Sequence, residues 1–249
     1  MSRTPPPHHA RYSTGHVPLN RALSKMGLFS RKEAEEYIFS GRIKVAGKVC
    51  RDPFFPVSPE KDLFAFNDTP LFYAAKRTVL LHKPRGVVTT RSDEKGRKNV
   101  FDLHPDAFRG LHAVGRLDRA SSGLLLLTND TRFSSDLTDP QNAIPRRYVV
   151  TVTGRIEEKH LEQLKNGLLD KGEFLKVSDV MLRKASGRES HLLVTLTEGK
   201  NREIRRLFKT LGRDVTRLKR IAFGKLELGT LEAGAFRVLS ETEVREIGL

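Results

Sequence analysis

Apolar residues first recur at helical spacing at Leu19, Leu23 and Met26, and Gly27 follows where such a helix would stop. Ser30 stands three residues before Glu33, a capping-box pattern that opens a second helix with Ala34, Tyr37 and Ile38 inward and Gly41 at its end. Residues 43–49 then alternate in two short stretches around a turn, as a hairpin does. After a polar stretch containing Pro70 the pattern changes. Residues 78–82 predict a short apolar strand, stopped by the turn-forming run Lys83-Pro84-Arg85-Gly86. Residues 124–127 are apolar throughout, as a buried strand is, and Asp130 is placed to cap a short helix that ends near Leu137. Residues 148–153 alternate, with Tyr148, Val150 and Val152 on one face, and residues 192–196 alternate again. Between them, residues 156–168 have helical period. A further helix, with Asn201 as its cap, carries the apolar stripe Ile204, Leu207, Phe208 and Leu211 and closes at Gly212. Residues 215–221 and 225–228 read as paired strands.

This order predicts an α+β protein. A largely antiparallel mixed sheet forms the larger domain, and a small helical/β domain precedes it. The boundaries expected are a disordered tail at 1–16, the small domain at 17–65, a linker at 66–76 and the larger domain at 77–249. His8 and His9 fall in the tail, where solvated side chains are the expectation.

Composition adds the partner. The chain has 249 residues, with 38% hydrophobic and 30% charged, so a packed soluble fold is expected. No apolar run approaches the roughly 20 residues of a membrane span, and the first residues lack the apolar core of a secretory signal. One cysteine, Cys50, excludes an internal disulfide or a cysteine-built zinc site, and a cytoplasmic monomer is the expectation. Forty-five Lys and Arg against thirty Asp and Glu leave a formal charge of +15. A long polyanion is the natural partner for such a chain, because each neutralised phosphate releases counterions. The small domain concentrates part of this charge in Arg21, Lys25, Arg31, Lys32, Arg42, Lys44, Lys48 and Arg51.

Candidate chemistry centres on residues 112–130. Asp118 lies between Arg116 and Arg119, near the mouth of the apolar strand. A carboxylate flanked by guanidiniums stays ionised, and an ionised, oriented carboxylate can attack an electron-poor carbon. Spacing alone admits either that role or a loop salt bridge. Tyr148 opens a strand after Arg146 and Arg147, and a ring there can either pack in the core or stack on a base. On the helix after Asn201, Arg202, Arg205, Arg206 and Lys209 form a basic face beside the apolar stripe.

Two resemblances narrow these alternatives. The run LNRALSKMGLFSRKEAEEYIFSGRIKVAGKVCRDPFFPV resembles the S-four-like RNA-binding domain, through Gly27, Ser30-Arg31, Glu33, the helix end at 38–41 and the Val45-x-Gly47 turn. Ala46 stands where that domain usually has asparagine. The resemblance implies binding to structured RNA, with Arg21, Lys25, Arg31 and Lys32 on phosphate. Residues 115–130, GRLDRASSGLLLLTND, look like the catalytic motif of the RsuA/RluB/RluE/RluF group of ribosomal-RNA pseudouridine synthases. The preceding LHKPRGVVTT matches that group's Lys-Pro-x-Gly strand end. Ser121 replaces the commoner threonine and keeps its hydroxyl.

The second resemblance implies Asp118 as nucleophile, Tyr148 beside the flipped base, and Arg205 as the charge partner of Asp118. It also implies RNA or substrate contacts from Lys83, Arg116, Arg146, Asn201, Arg202, Arg206 and Lys209. Arg146 takes the place of a more usual lysine, and sequence alone does not separate Arg205 from Arg202 or Arg206. The implied reaction turns uridine into pseudouridine in ribosomal RNA, with no cofactor and no metal. Two rivals are a non-catalytic RNA-binding protein and an N-glycoside hydrolase. The first has no use for an aspartate–tyrosine–arginine set in residues 77–249. The second wants another carboxylate, and the nearest in sequence, Asp130, is expected at the far end of the strand.

Overall fold

The computed structural model describes residues 15–90 and 95–247. The expected tail, with His8 and His9, lies outside the described residues apart from Gly15 and His16. The chain divides into two compact units, residues 1–76 and 77–249.

In the first unit, β1 (Val17–Pro18) and α1 (Leu19–Lys25) are followed by α2 (Arg31–Phe39), β2 (Ile43–Val45), β3 (Lys48–Val49), β4 (Pro56–Val57), β5 (Phe64–Phe66) and β6 (Thr69–Leu71). The α2 capping box forms, with Glu33 N donating to Ser30 Oγ at 3.2 Å and Ser30 N to Glu33 Oε2 at 2.7 Å. Leu19, Leu23, Ala34, Ile38, Ile43 and Phe64 make the core. Four strands pair in the order β3-β2-β5-β6. Both hairpins turn through left-handed residues. Ala46 (φ 46°) precedes Gly47 (φ 79°) in one, and Asn67 (φ 46°) precedes Asp68 (φ 67°) in the other. Such a two-residue turn favours asparagine and glycine, so the Ala46 departure is accommodated at a strained position. The Asn67-Asp68 turn corrects the expected linker. Residues 66–71 belong to the small unit's sheet, and only residues 72–76 lead out of it. The turn dipeptide marks this hairpin, and Pro70 is tolerated because it sits on the edge strand β6.

The second unit contains β7 (Thr78–Lys83), a 3-10 turn at Val100–Leu103, β8 (His112–Val114), β9 (Ser122–Thr128), α3 (Thr131–Thr138), β10 (Arg146–Thr153), α4 (Glu158–Asn166), β11 (Leu168–Asp170), β12 (Glu173–Leu175), β13 (Asp179–Ala185), β14 (Glu189–Leu196), α5 (Glu203–Thr210), β15 (Val215–Phe223), β16 (Leu226–Glu227), β17 (Phe236–Val238) and α6 (Glu241–Glu246). The main sheet runs β13-β14-β10-β15-β9-β7-β17. Every neighbouring pair on that path is antiparallel except β15–β9, which is parallel. The fold class expected from the pattern is therefore the one observed. Leu81, Leu125, Leu127, Val150, Val152 and Val194 bury one face, while Leu80, Leu124, Leu126 and Phe223 bury the other. This is why residues 124–127 carry no polar alternation: β9 is covered on both sides.

The β15–β9 junction carries the loop after β8. Gly123 pairs with Arg220 and has φ +108°. A Cβ on Gly123 would lie 2.1 Å from Arg220 O and 2.6 Å from Arg220 N, a clash with backbone that no side-chain rotation relieves. Gly123→Ala is expected to destabilise the fold by about 2–4 kcal/mol, measured as a lowered denaturant midpoint. A change below about 0.5 kcal/mol would show that this junction yields easily. Residues 77–249 alone are expected to unfold cooperatively in circular dichroism, because their sheet has its own core. A chain cut at 65 instead would keep β6 without its partner β5, and a non-cooperative melt of the 77–249 fragment would mean the units share a core.

Candidate active site

The loop from Gly115 to Ser121 has few internal bonds and is held from outside. Thr89 Oγ donates to Leu117 O at 2.8 Å and accepts from Leu117 N at 3.3 Å, and Gly86 N donates to Arg119 O at 2.8 Å. The main clamp is Lys83, at the end of β7. Its side chain has no exposed surface, and Nζ donates to Pro84 O (3.0 Å), Asp118 O (3.2 Å) and Ser121 O (2.9 Å). Burial pushes Lys83 down to about 8, and the nearby Asp118 charge acts against that shift. Lys83 was expected among the RNA contacts, and burial removes it from that set. It is a loop anchor.

Asp118, midway along this loop, is half-exposed. Its Oδ2 lies 3.5 Å from Arg202 Nη1 and 3.7 Å from Arg205 Nε. The cationic partners thus come from α5 and the turn before it, not from the sequence neighbours Arg116 and Arg119, which are both exposed. Arg205 is 14% exposed and locked. Its Nη1 donates to Val215 O at 2.9 Å, and Nη2 reaches Ser121 Oγ at 3.4 Å and Ala120 O at 3.5 Å. Burial lowers its pKa most, Arg202 adds to the lowering, Asp118 opposes it, and Arg85 contributes a smaller lowering.

A cavity of about 200 Å³ opens beside Asp118. Tyr148 forms part of its wall from β10, in register with Val194 on β14 and Arg220 on β15. At 8% exposure Tyr148 is both a core residue and a cavity residue, so the two readings of its position are not exclusive. Arg116 lines the same cavity from the exposed side.

Several expected contacts are corrected. Arg146 lines the cavity but is buried, with Nη1 on Thr197 O and Glu198 O at 3.2 Å each and Nη2 on Leu137 O at 3.1 Å. Three of its bonds go to carbonyls, so it braces the wall. Arg206 pairs with Asp170 and Glu173 of the β11–β12 hairpin at 2.5 Å each, and Lys209 pairs with Asp214 at 2.9 Å. The α5 face read as a phosphate-binding surface is thus partly tied to the protein's own carboxylates, whose strands the sequence pattern did not reveal. Asn201 is not the α5 cap. Arg202 is, in a left-handed conformation (φ 49°, ψ 30°) with no side-chain cap bond. Arg21 and Lys25 on α1, and Arg31 and Lys32 on α2, are exposed on the small unit.

Two cavity residues were not anticipated. Glu203 is 3% exposed, accepts from Lys200 N at 3.3 Å through Oε2, and has no partner for Oε1. Burial raises its pKa to about 7. Arg220 is also 3% exposed, with Nε on Leu124 O at 2.7 Å and Nη2 unpartnered. Polar residues inside an apolar stripe or strand give no sequence signal of a shared cavity. Asp130, the rival second carboxylate, caps α3 through Arg132 N and Phe133 N at the far end of β9. Among the described residues, no three His, Cys, Asp or Glu side chains gather as a metal site requires.

Comparison with known proteins identifies both units. Residues 77–210 match the RNA pseudouridylate synthase family, and residues 17–63 match the S4 domain. An uncharacterized RNA pseudouridine synthase of Aquifex aeolicus is 34% identical over 93% of both chains. Ribosomal large subunit pseudouridine synthase B of Bacillus subtilis is 34% identical over 92% of this chain and 94% of its own. The crystal structure of a pseudouridylate synthase superposes with a TM-score of 0.65 at 26% identity, covering 93% of this chain and 99% of the other. With a family match over more than half of its length and relatives 34% identical across nearly all of it, the chain belongs to the RNA pseudouridylate synthase family.

Proposed function

We propose that this enzyme converts a uridine of ribosomal RNA to pseudouridine, with Asp118 as nucleophile acting on a base flipped into the cavity. The observation that carries the reading is the Asp118 carboxylate, held by a locked Arg205 at the wall of a cavity shared with Tyr148. The relatives named for ribosomal RNA support the substrate class. An isomerase of this kind breaks the bond from C1′ to N1 and joins C1′ to C5. C5 loses a proton and N1 gains one, so nothing is imported. A paired base is out of reach in a helix, and extruding it costs a few kcal/mol, offset by contacts to the RNA backbone. Asp118 then attacks C1′ or the ring, Tyr148 stacks on the uracil and relays a proton, and Arg205 pairs with the carboxylate and orients it. Arg116 and Arg202 meet RNA at the mouth. Arg21, Lys25, Arg31 and Lys32 hold structured RNA from the small domain.

Asp118→Asn keeps shape and removes charge. RNA binding is expected to survive while pseudouridine formation in transcribed ribosomal RNA falls to background. Turnover within about tenfold of wild type would remove Asp118 from the role. Arg205→Ala is expected to depress the single-turnover rate about a hundredfold and affinity only slightly. Release of free uracil in place of pseudouridine would make the enzyme a hydrolase. Removing residues 1–76 is expected to weaken RNA binding and flatten its salt dependence, because four phosphate-facing cations go with them. An unchanged slope would take the small domain off the phosphates.

The buried Glu203 adds a pH dependence. Its pKa rises from the ordinary 4.5 to about 7 in the fold, so ionisation is penalised by folding. That penalty is absent below about pH 4.5 and complete above about pH 7. Glu203→Gln removes it and keeps the acceptor for Lys200 N. The variant is expected to melt with wild type near pH 4.5 and a few degrees higher at pH 8, on the scale of about 2–4 °C per kcal/mol. An equal offset at both values would mean that the fold does not raise the Glu203 pKa.

A further inference from the structure

Charge at the mouth of the cavity does not balance. Arg202 and Arg205 both face Oδ2 of Asp118, at 3.5 and 3.7 Å. Arg85, in the turn after Lys83, is close enough that its charge also bears on Arg205. Two guanidiniums thus face one carboxylate, and a third lies near enough to add to their charge. Glu198 does not make up the difference, since it is paired with Lys200 at 2.6 Å. Nor does the Glu203 carboxyl, which burial disposes towards its neutral form.

The three arginines are not equivalent. Arg205 is fixed by carbonyls and a hydroxyl. Arg202 is 54% exposed, and Asp118 is its one partner among the described residues. Arg85 is exposed and has no hydrogen bond or ion pair among the described residues. The turn that bears Arg85 is itself tied to the loop of Asp118 by the bond from Gly86 N to Arg119 O. Arg202 is set by a left-handed backbone at the first residue before α5, a conformation that costs a non-glycine residue energy and that functional sites commonly retain. Two exposed guanidiniums, one 3.5 Å from the carboxylate and one in a turn bonded to its loop, come from separate segments of the chain, and their charge exceeds that of the one anion between them.

Resting on the function proposed above, we infer that Arg85 and Arg202 grip one backbone phosphate of the flipped nucleotide, and that Arg202 leaves Asp118 for it as RNA binds. The exchange replaces one anion of Arg202 by another, so it costs little charge separation inside the site. It also uncovers Oδ2 for the substrate only when a nucleotide is present, and it leaves Arg205 as the lasting partner of the carboxylate. Phosphate is the matching ligand, because planar guanidiniums offer it paired donors.

The test uses the full-length protein and in vitro transcribed large-subunit ribosomal RNA, with Kd measured across salt concentrations. Arg202→Asn keeps a residue tolerant of the left-handed backbone and removes the cation. Arg85→Gln does the same at the turn. Each is expected to lower the slope of log affinity against log salt by about 0.7, the value of one phosphate on a single strand. The double variant is expected to lose about the same 0.7 and not twice it, because both residues hold one phosphate. The loss in kcat/KM appears in KM, unlike that of Arg205→Ala, and Arg202→Lys recovers most of the slope.

Unchanged slopes overturn the grip, and an additive double variant puts the two residues on separate phosphates. A kcat loss for Arg202→Asn equal to that of Arg205→Ala means that Arg202 stays on Asp118. If the wild type forms no pseudouridine in any ribosomal RNA, the proposed function fails, while the salt slopes still report the grip independently.

Discussion

A buried ammonium organises this site. Lys83 brings a cation into the interior, and three carbonyls, of Pro84, Asp118 and Ser121, take up its three protons. An unsatisfied charge there would be prohibitive, so the loop must present those carbonyls or the strand end must open. The conformation of the Asp118 loop is therefore set by β7, a strand roughly thirty-five residues away in sequence. Thr89 and Gly86 add bonds from the same segment. The opposite side of the loop is set by Gly123, whose missing Cβ lets β15 run alongside β9. The half-exposed aspartate is held facing the cavity because the backbone beneath it is fixed from both sides.

Electrostatics at the site follow from that placement. The carboxylate meets two guanidiniums delivered by α5 and its preceding turn, one locked and one exposed. The α5 residues with the same spacing in sequence diverge in role. Arg205 turns to the site, Arg206 to the β11–β12 hairpin and Lys209 to Asp214. A basic face on one helix is thus divided between the cavity, the β11–β12 hairpin and Asp214. Behind it, Arg146, Arg220 and Glu203 give the cavity a polar lining within an apolar sheet. Buried polar groups that lack partners are costly, and they concentrate here more than in the rest of the core.

The small unit meets a different constraint. Its sheet is closed by two tight turns that need left-handed residues, and Asn67-Asp68 supplies them readily while Ala46 does so at some strain. Its exposed cations on α1 and α2 leave the aromatic group of Phe29, Tyr37 and Phe66 to pack beneath Arg42. Charge and core are kept on separate faces, which lets an unusually basic chain fold without burying its lysines, Lys83 excepted.

Much of this was legible in the sequence by itself. Local signals carried the α2 capping box, the doubly covered strand 124–127, the α3 cap at Asp130 and the predominance of antiparallel strands, because each depends on residues close together in the chain. The motif around Asp118 and the basic N-terminal run likewise identified the family. Tertiary structure alone decided which arginines meet Asp118, because sequence neighbours such as Arg116 and Arg119 point outward while Arg202 and Arg205 arrive from a helix some eighty residues on. It decided that Lys83 and Arg146 are braces, since burial and carbonyl partners cannot be read from composition. It decided that Asn201 caps nothing and that Arg206 is spent on Asp170 and Glu173. The physical reason is common to all of these. Periodicity reports which face of an element is apolar, whereas a polar side chain's partner is chosen by what the rest of the chain brings within about 3–4 Å of it.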